Sequence, residues 1–198
     1  MTDLQSLVAL TYDGLVDLLV GLPEETWDAP SLCDNWQVRH VVAHMIMPVR
    51  FTPEQFAVEM AAVKDFNVFS NTVAARDACL PIIELLDALG SKTLHAWQPG
   101  IGGAIGALSH AVIHSLDITL ALDRPSTAPI EAVISVLEYL VGANGTIFGV
   151  ELDGVQLRAL DIDWTWGTGR SVNATSNELV ALLSGRTLPN GHALERVG

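Results

Sequence analysis

The segment GALSHAVIHSLD, residues 106–117, constrains the fold of this chain more than any other. It places His110 and His114 four residues apart in a run that is otherwise apolar or small. On a helix, residues four apart lie on one face, so both imidazoles would point from a surface that should be buried. A buried neutral imidazole needs a partner at each ring nitrogen, and a divalent metal satisfies two neighbouring rings readily. The pair therefore favours a metal site on a buried helix.

A third ligand is expected from another helix, because two ligands hold a metal weakly. The candidate is His44 in the segment WQVRHVVAHMI. Bundle interiors commonly build metal sites from side chains on facing helices. Three neutral nitrogens with a free fourth position suit zinc, and less specifically nickel or iron. The alternative for any single histidine is a core residue that is hydrogen-bonded to a nearby carbonyl group.

Asp117 and His40 are candidates at the edge of this site. Asp117 follows His114 by three residues, so it either orients an imidazole from outside the ligand set or bonds the following turn or solvent. His40 precedes His44 by four residues and could form a second pair with it. The alternative for His40 is a polar position on the exposed flank of the helix, and this interpretation is preferred.

Trp36, His95 and Trp97 are candidates for the border of a pocket. His95 and Trp97 lie in a Gly- and Pro-rich connector just before the histidine pair, where the alternative is a solvated loop with one anchoring tryptophan. Trp36 is expected to pack under the loop that precedes His44. Cys33, in the same loop, is the best candidate for a nucleophile, but no histidine is spaced to suggest a Cys–His catalytic dyad. A small buried residue is therefore the preferred interpretation of Cys33.

The composition excludes several classes of partner. The 198 residues contain 10 Lys and Arg against 23 Asp and Glu, so the net charge of −13 argues against nucleic acid and anionic membranes. The N-terminus lacks the pattern of a secretory signal, and no apolar run is long enough to span a membrane. Cys33 and Cys79 do not make a disulfide framework, which favours a reducing cytoplasm. A homodimer is compatible with the sequence.

Hydrophobic periodicity predicts a mainly helical chain of one domain with a small appendage. The expected helices run from a cap at Thr2 to residue 21, from a cap at Asp34 or Asn35 to Pro48, from Thr52-Pro53 to about residue 64, from about 72 to 89 with a break at Pro81, from 103 to 122, and from 129 to 141. Residues 65–71 are expected to break the helical pattern.

The composition changes after residue 145. Alternation of apolar and polar residues predicts strands at 155–159 and 161–166, joined to a closing helix at 173–184 by a glycine turn. The predicted architecture is a bundle over residues 1–145, with residues 146–198 forming a short α+β segment that packs on it.

Three segments resemble one known family. SLCDNWQVRHVVAHM resembles the N-terminal signature of the mycothiol-dependent maleylpyruvate isomerase family, within the DinB-like metal-binding superfamily, where a loop Cys and Trp precede a helix that ends in a histidine ligand. HAWQPGIGGAIGALSHAVIHSLDI resembles the second signature, a Gly-rich loop before the helix with the other two ligands. GVQLRALDIDWTWGTGRSVNATSNELVALLSGR is similar to the C-terminal strand–strand–helix segment of the family.

The resemblance implies a DinB-like four-helix bundle with a divalent ion held by His44, His110 and His114. In the isomerase itself a glutamate stands at the position of His110, whereas this chain has histidine, as the wider superfamily does. The C-terminal segment is expected to be short compared with the second domain of the family.

The leading hypothesis is a metal-dependent enzyme that uses a small thiol such as mycothiol, as an S-transferase or a thiol-assisted isomerase of an electrophilic substrate. A thiol that coordinates a metal is deprotonated, and the thiolate is the competent nucleophile. One alternative is a hydrolase, in which the metal lowers the pKa of bound water to about 7. The other is a metal-binding bundle without catalytic activity.

Overall fold

The structure, a computed structural model, describes residues 3–197. Its helices and strands are α1 (Leu4–Val20), α2 (Val38–Met45), α3 (Met47–Arg50), α4 (Pro53–Val63), α5 (Phe66–Asp77), α6 (Ile82–Leu89), α7 (Lys92–Ala96), α8 (Gly103–Thr119), α9 (Ile130–Gly142), β1 (Val155–Ala159), β2 (Thr165–Gly167), β3 (Arg170–Ala174) and α10 (Ser176–Leu183). A short 3-10 turn at Glu24–Asp28 lies between α1 and α2. The predicted fold class, mainly helical with a small C-terminal sheet, is confirmed.

Helix α8 is the centre of the molecule. It packs against α1, α2, α9 and α10, so neighbours cover it on several sides. Most of its residues are buried, including small and polar ones such as Ser115 and Thr119. A helix that carries apolar or small residues all round is typical of such a buried position. The helix that carries His110 and His114 is therefore an interior element, as their apolar context predicts.

The first two helices begin at other caps than predicted. The Thr2 cap lies outside the described residues, and the side chain of Asp3 accepts hydrogen bonds from the first backbone amides of α1. Helix α2 begins after Gln37, whose side chain forms a reciprocal capping box with His40. Asn35, predicted as a cap, instead adopts a left-handed backbone with φ of 63° and turns the chain.

The break predicted at residues 65–71 is wrong. Lys64 ends α4 in a left-handed conformation, and Asp65 immediately caps α5 through the amides of Asn67 and Val68. The chain thus needs only two residues to change direction, and α5 packs against α2. This packing places Ser70, on α5, beside α2, the helix that carries His44.

Prolines end or start helices where the sequence predicts it. Pro48 lies in the first turn of α3, directly after α2 ends, and Pro53 follows the Thr52 cap of α4. Pro81 lies at the predicted break between two helices: α5 ends at Asp77, and α6 begins directly after Pro81.

The sheet has a third strand that the sequence pattern did not reveal. Strand order is β2-β1-β3, with β2 antiparallel and β3 parallel to β1. The expected closing helix at 173–184 starts later, because Arg170–Ala174 forms β3 and Thr175 caps α10. The predicted strand at 161–166 is shorter, since Asp161 turns away to accept hydrogen bonds from the amide and hydroxyl of Ser176.

Helix α10 packs against α8 and α9, and so attaches the C-terminal segment to the bundle. The domain boundary at residue 145 stays a prediction. Over residues 3–197, no helix has both the length and the apolarity needed to cross a membrane.

Gly106 allows α8 to approach the loop that precedes it. A Cβ at this position would lie 2.9 Å from Pro99 Cγ and 3.0 Å from the Ile101 carbonyl oxygen. We expect Gly106→Ala to lower the free energy of unfolding by about 1 kcal/mol, because the contact outweighs the helix propensity gained. Urea denaturation measures the change. Gly142→Ala is the matched control, since its Cβ would meet no atom within 4 Å; a Gly106→Ala protein as stable as this control would contradict the prediction.

Candidate metal centre

Three histidines from two helices meet inside the bundle. The ring centroid of His44, on α2, lies 5.2 Å from that of His110 and 4.7 Å from that of His114. The two rings on α8 are 4.9 Å apart. One nitrogen from each ring lies within 4.8 Å of the others, a spacing at which the three could hold one ion. The structure thus brings together the three side chains that the sequence predicts as ligands, and their role as ligands stays a prediction.

A separate polar group holds each imidazole through its Nδ1 atom. Ser70 Oγ is 3.0 Å from Nδ1 of His44, and the Tyr12 hydroxyl is 3.1 Å from Nδ1 of His110. His114 Nδ1 donates to Asp117 Oδ2 at 2.9 Å. Within residues 3–197 no hydrogen bond engages the three Nε2 atoms. An imidazole that donates through Nδ1, as His114 does to the Asp117 carboxylate, presents a lone pair at Nε2, where an ion could bind.

Burial favours the neutral, ligating form of two of these rings. Removal from water lowers the pKa of His44 well below the usual value, and positive charge on His114 would lower it further. Burial also lowers the pKa of His110 well below the usual value, and positive charge on His114 or His44 would lower it further. Both rings are therefore uncharged at neutral pH, so a metal ion does not have to displace a proton from them.

Asp117 joins the histidines to a buried ion pair. The Arg186 guanidinium donates to both carboxylate oxygens, from Nε at 2.7 Å and from Nη2 at 2.9 Å. Burial by itself would raise the pKa of Asp117, but the hydrogen bonds from Arg186 and His114 outweigh it and hold the pKa below its usual range. The carboxylate is thus ionised and orients His114.

Cys33 belongs to the same network. Its thiol donates to Asp117 Oδ2 at 3.0 Å, and Arg186 Nη2 lies 3.4 Å from the sulfur. Burial, reinforced by the Asp117 charge, raises the pKa of the thiol well above its usual value. Since the thiolate is the reactive form, a cysteine in this environment is not an active nucleophile. This agrees with the preferred interpretation of Cys33 as a structural residue.

A cavity of about 400 Å³ opens onto the histidines. Its walls are mostly apolar, and Trp97 closes one side with its ring 5.4 Å from that of His110. The buried Ser109 hydroxyl and Tyr139 are among its few polar groups. The arrangement is an apolar chamber with three imidazoles at one wall, and an apolar cavity with a few convergent polar groups is the usual form of a small-molecule site.

The remaining candidates lie at different distances from this centre. Trp36 borders it, with its ring 5.2 Å from that of His44 and its Nε1 donating to Asn71. His40 points away and accepts from the Gln37 amide in the α2 capping box. His95 lies behind Tyr12, on which it stacks at 5.8 Å, and does not join the other histidines.

Sequence reasoning missed the three residues that hold the site from outside: Tyr12, Ser70 and Arg186. Tyr12 interrupts the apolar stripe of α1, and a buried hydroxyl there implies a hydrogen-bond partner. Arg186 follows Gly185, a left-handed residue just past the end of α10, and so is held against the bundle. Ser70 carried no such signal, since its helix was not predicted to begin before residue 72.

Fold and site together define a mainly helical bundle protein with three histidines gathered in its interior. Residues 8–98 match the family model described as the mycothiol maleylpyruvate isomerase N-terminal domain. This match includes His44 and the Cys33–Trp36 loop and ends before α8. The predicted resemblance to that family is thereby confirmed. No curated protein matches the sequence.

Two solved structures are similar over nearly the whole chain. A histidine-to-alanine variant of the mycothiol-dependent maleylpyruvate isomerase aligns with a TM-score of 0.54 and 14% identity, over 98% of this chain and 94% of that chain. The unmutated isomerase gives 0.48 and 15%, with the same coverage. The first alignment shows a common fold.

The Asp117–Arg186 pair should be important for stability. The side chains are only 1% and 19% exposed, so Arg186→Met leaves a buried carboxylate without its counterion. We expect the free energy of unfolding to fall by about 3–5 kcal/mol. Arg170→Met is the control, because that arginine is exposed and lies 4.0 Å from an exposed Glu195; chemical denaturation should show a change below about 0.5 kcal/mol there. Similar losses in the two variants would be evidence against a central ion pair.

The lowered pKa values of His44 and His110 predict a loss of stability in mild acid when a chelator is present. Below pH about 6.5 the unfolded chain takes up protons that the folded state excludes. As the pH is lowered, the free energy of unfolding therefore falls by up to about 1.4 kcal/mol per pH unit for each ring. Denaturation between pH 7.5 and 5 should show a shallower slope for His110→Gln than for the parent. His192→Gln, at an exposed position, should keep the parental slope.

Proposed function

We propose that this protein is a metal-dependent enzyme that uses a small thiol, of the mycothiol type, to add to an electrophilic substrate. The observation that carries the proposal is that a polar group holds each of the three imidazoles through Nδ1, while no residue from 3 to 197 makes a hydrogen bond to its Nε2. Three imidazole nitrogens at the wall of a cavity suit zinc, or less specifically nickel or iron, with a position left for a ligand from outside. The bound ion would supply a thiolate at neutral pH, because coordination removes the thiol proton.

The residues of the chain have clear tasks under this proposal. His44, His110 and His114 would hold the ion, and Ser70 and Asp117 would fix the orientation of two of these rings. The apolar cavity walls exclude water from the reacting sulfur. The chain itself does not have to provide a nucleophile, which agrees with the protonated state of its buried cysteine.

The family similarity supports thiol addition over other reactions. In a thiol-assisted isomerisation, the thiolate sulfur bonds to one carbon of a conjugated double bond, and the electron pair moves to the adjacent carbonyl oxygen. Rotation about the new single bond follows; the electron pair then returns, the carbon–sulfur bond breaks, and the thiolate is regenerated. In an S-transferase the carbon–sulfur bond remains and another group leaves the substrate. Both reactions use the same thiolate and neither requires an oxidant.

A cytoplasmic location is part of the proposal. Cys33 and Cys79 are both unpaired, and a reducing compartment keeps them and the small thiol in the thiol state.

The direct test is metal content and thiol-dependent turnover of the full chain and His114→Ala. We expect one divalent ion per chain in the parent and, in the variant, an affinity lower by more than about 100-fold, the upper range for losing only an outer hydrogen-bond partner. His192→Ala, which removes an exposed histidine, should retain the ion and the activity. Ser70→Ala, which removes the partner of His44, should fall between the two, with an affinity about 10- to 100-fold lower.

Equal metal content in the parent and His114→Ala would refute the proposed centre. Turnover of an ester panel without added thiol would identify a hydrolase instead. If the protein binds metal but shows neither thiol-dependent turnover nor ester hydrolysis, it is a metal-binding protein without this activity.

A further inference from the structure

A second cavity, of about 360 Å³, adjoins the one at the histidines. We call the cavity at the histidines the inner cavity and its neighbour the outer cavity. The two share the walls formed by Met47, Pro48, Phe56, Trp97 and Pro99. The two cavities therefore adjoin, and a molecule at the histidines that reached past these residues would enter the outer cavity.

The outer cavity contains no charged side chain from the described residues. Aromatic rings, prolines and a methionine form most of its wall, with Thr52 and Gln98 as its polar side chains. The Thr52 hydroxyl accepts from the Gln55 amide, and Gln98 donates to the Gln5 side chain. Both polar groups therefore already have partners within the chain.

The inner cavity also lacks an available side-chain cation. Among the described residues, Arg186 is the one lysine or arginine that lines this cavity. Two of its hydrogen bonds go to the Asp117 carboxylate, which balances the guanidinium charge. Two further bonds go to the Ser184 carbonyl oxygen and the Cys33 sulfur, so four of five N–H donors are engaged. Apart from the ion that the proposed function places at the histidines, whose charge the thiolate would partly balance, a substrate carboxylate would find little compensation there.

The entrance has the same character. Phe66, Ile101 and Ile147 lie on the rim of the inner cavity, and 48%, 91% and 42% of their respective surfaces are exposed. Exposed apolar side chains grouped at a cavity mouth mark a binding surface for an apolar ligand. The net charge of −13 adds a repulsion that anions must overcome.

We infer that the electrophile taken by this cavity is uncharged and largely apolar, such as an aryl or alkyl ester of an unsaturated acid, and not a dicarboxylate such as maleylpyruvate. A carboxylate in the outer cavity would lose its hydration without gaining an ionic partner, which is costly. The inference rests on the proposed function for the reaction, but the preference for uncharged ligands follows from the walls of the cavity alone. It separates this chain in substrate class from the isomerase whose fold it shares.

Binding of two unreactive ligands tests the preference independently of turnover. Methyl 3-phenylpropanoate and 3-phenylpropanoate differ only in the ester group, and neither has a double bond for a thiol to attack. Calorimetry on the full chain, as purified and again with a chelator, should give at least about tenfold tighter binding of the ester. Equal or tighter binding of the carboxylate, or no binding of the ester, would overturn the inference.

A charge added to the outer cavity should shift this ratio. Gly100 lies on the wall, and a Cβ there would meet no atom within 4 Å, so Gly100→Lys can add a cation beside the outer cavity. We expect the variant to bind the carboxylate roughly threefold tighter than the parent does. Gly21→Lys, at the exposed end of α1, adds the same charge elsewhere and should leave the ratio unchanged. Equal shifts in both variants would mean that general charge, and not the cavity wall, sets the preference.

Turnover then separates this inference from the proposed function. With mycothiol present, dimethyl maleate should isomerise to dimethyl fumarate faster than maleate isomerises to fumarate, after subtraction of the reaction with thiol alone. Faster conversion of maleate would contradict the inference while leaving the thiol enzyme intact. If neither is converted but the ester still binds more tightly, the proposed reaction fails and the ligand preference stands.

Discussion

Three imidazoles buried side by side are the constraint on which the rest of the structure depends. Each has two polar nitrogens, and leaving either unpaired in an apolar interior is costly. The fold resolves half of this by bringing one partner to each Nδ1: a tyrosine from α1, a serine from α5 and an aspartate from α8 itself. The other half, the Nε2 atoms, is concentrated at one point on a cavity wall. The arrangement supports one shared ligand for the three nitrogens.

Asp117 extends this constraint to the C-terminal segment. Its carboxylate receives hydrogen bonds from His114, Arg186 and Cys33, and its backbone carbonyl accepts from the Leu32 amide. Helix α8, the loop before α2 and the residues after α10 therefore meet at one buried charge. The small sheet and α10 are accordingly more than an appendage, since they deliver the cation that keeps this carboxylate ionised and in place.

The elements that sequence reasoning predicted are those with a local cause. Hydrophobic periodicity and the prolines at 48, 53 and 81 act within one turn of a helix, so most helices could be placed from the chain alone. The convergence of His44 with the pair on α8 was also predictable, because buried polar side chains on two apolar helices need polar partners and can find them in one another. What failed depended on distant contacts. Strand β3 exists through parallel pairing with β1, and the early start of α5 depends on the cap at Asp65.

The outer partners of the histidines were not predictable for the same reason. A serine, a tyrosine and an arginine are common residues whose importance comes only from the atoms that tertiary packing places against them. Arg186 lies 69 residues from the aspartate that it neutralises, and Tyr12 lies 98 residues from its histidine. Local patterns identified residues that could bind an ion, but not those that determine how each ring is presented.

His110 connects the proposed metal site to the chemistry proposed for the cavity. The family resemblance implies a glutamate at this position in the isomerase, and a carboxylate there would cancel one unit of the charge of a divalent ion. Three neutral imidazoles cancel none, so the full charge would be available to stabilise a thiolate from outside. The charged side chain beside these three histidines is Asp117, and Arg186 already neutralises its charge. In such a site the thiolate would be the counter-charge for the ion, and the apolar walls around it would leave the second reactant to be recognised by shape and apolar contact.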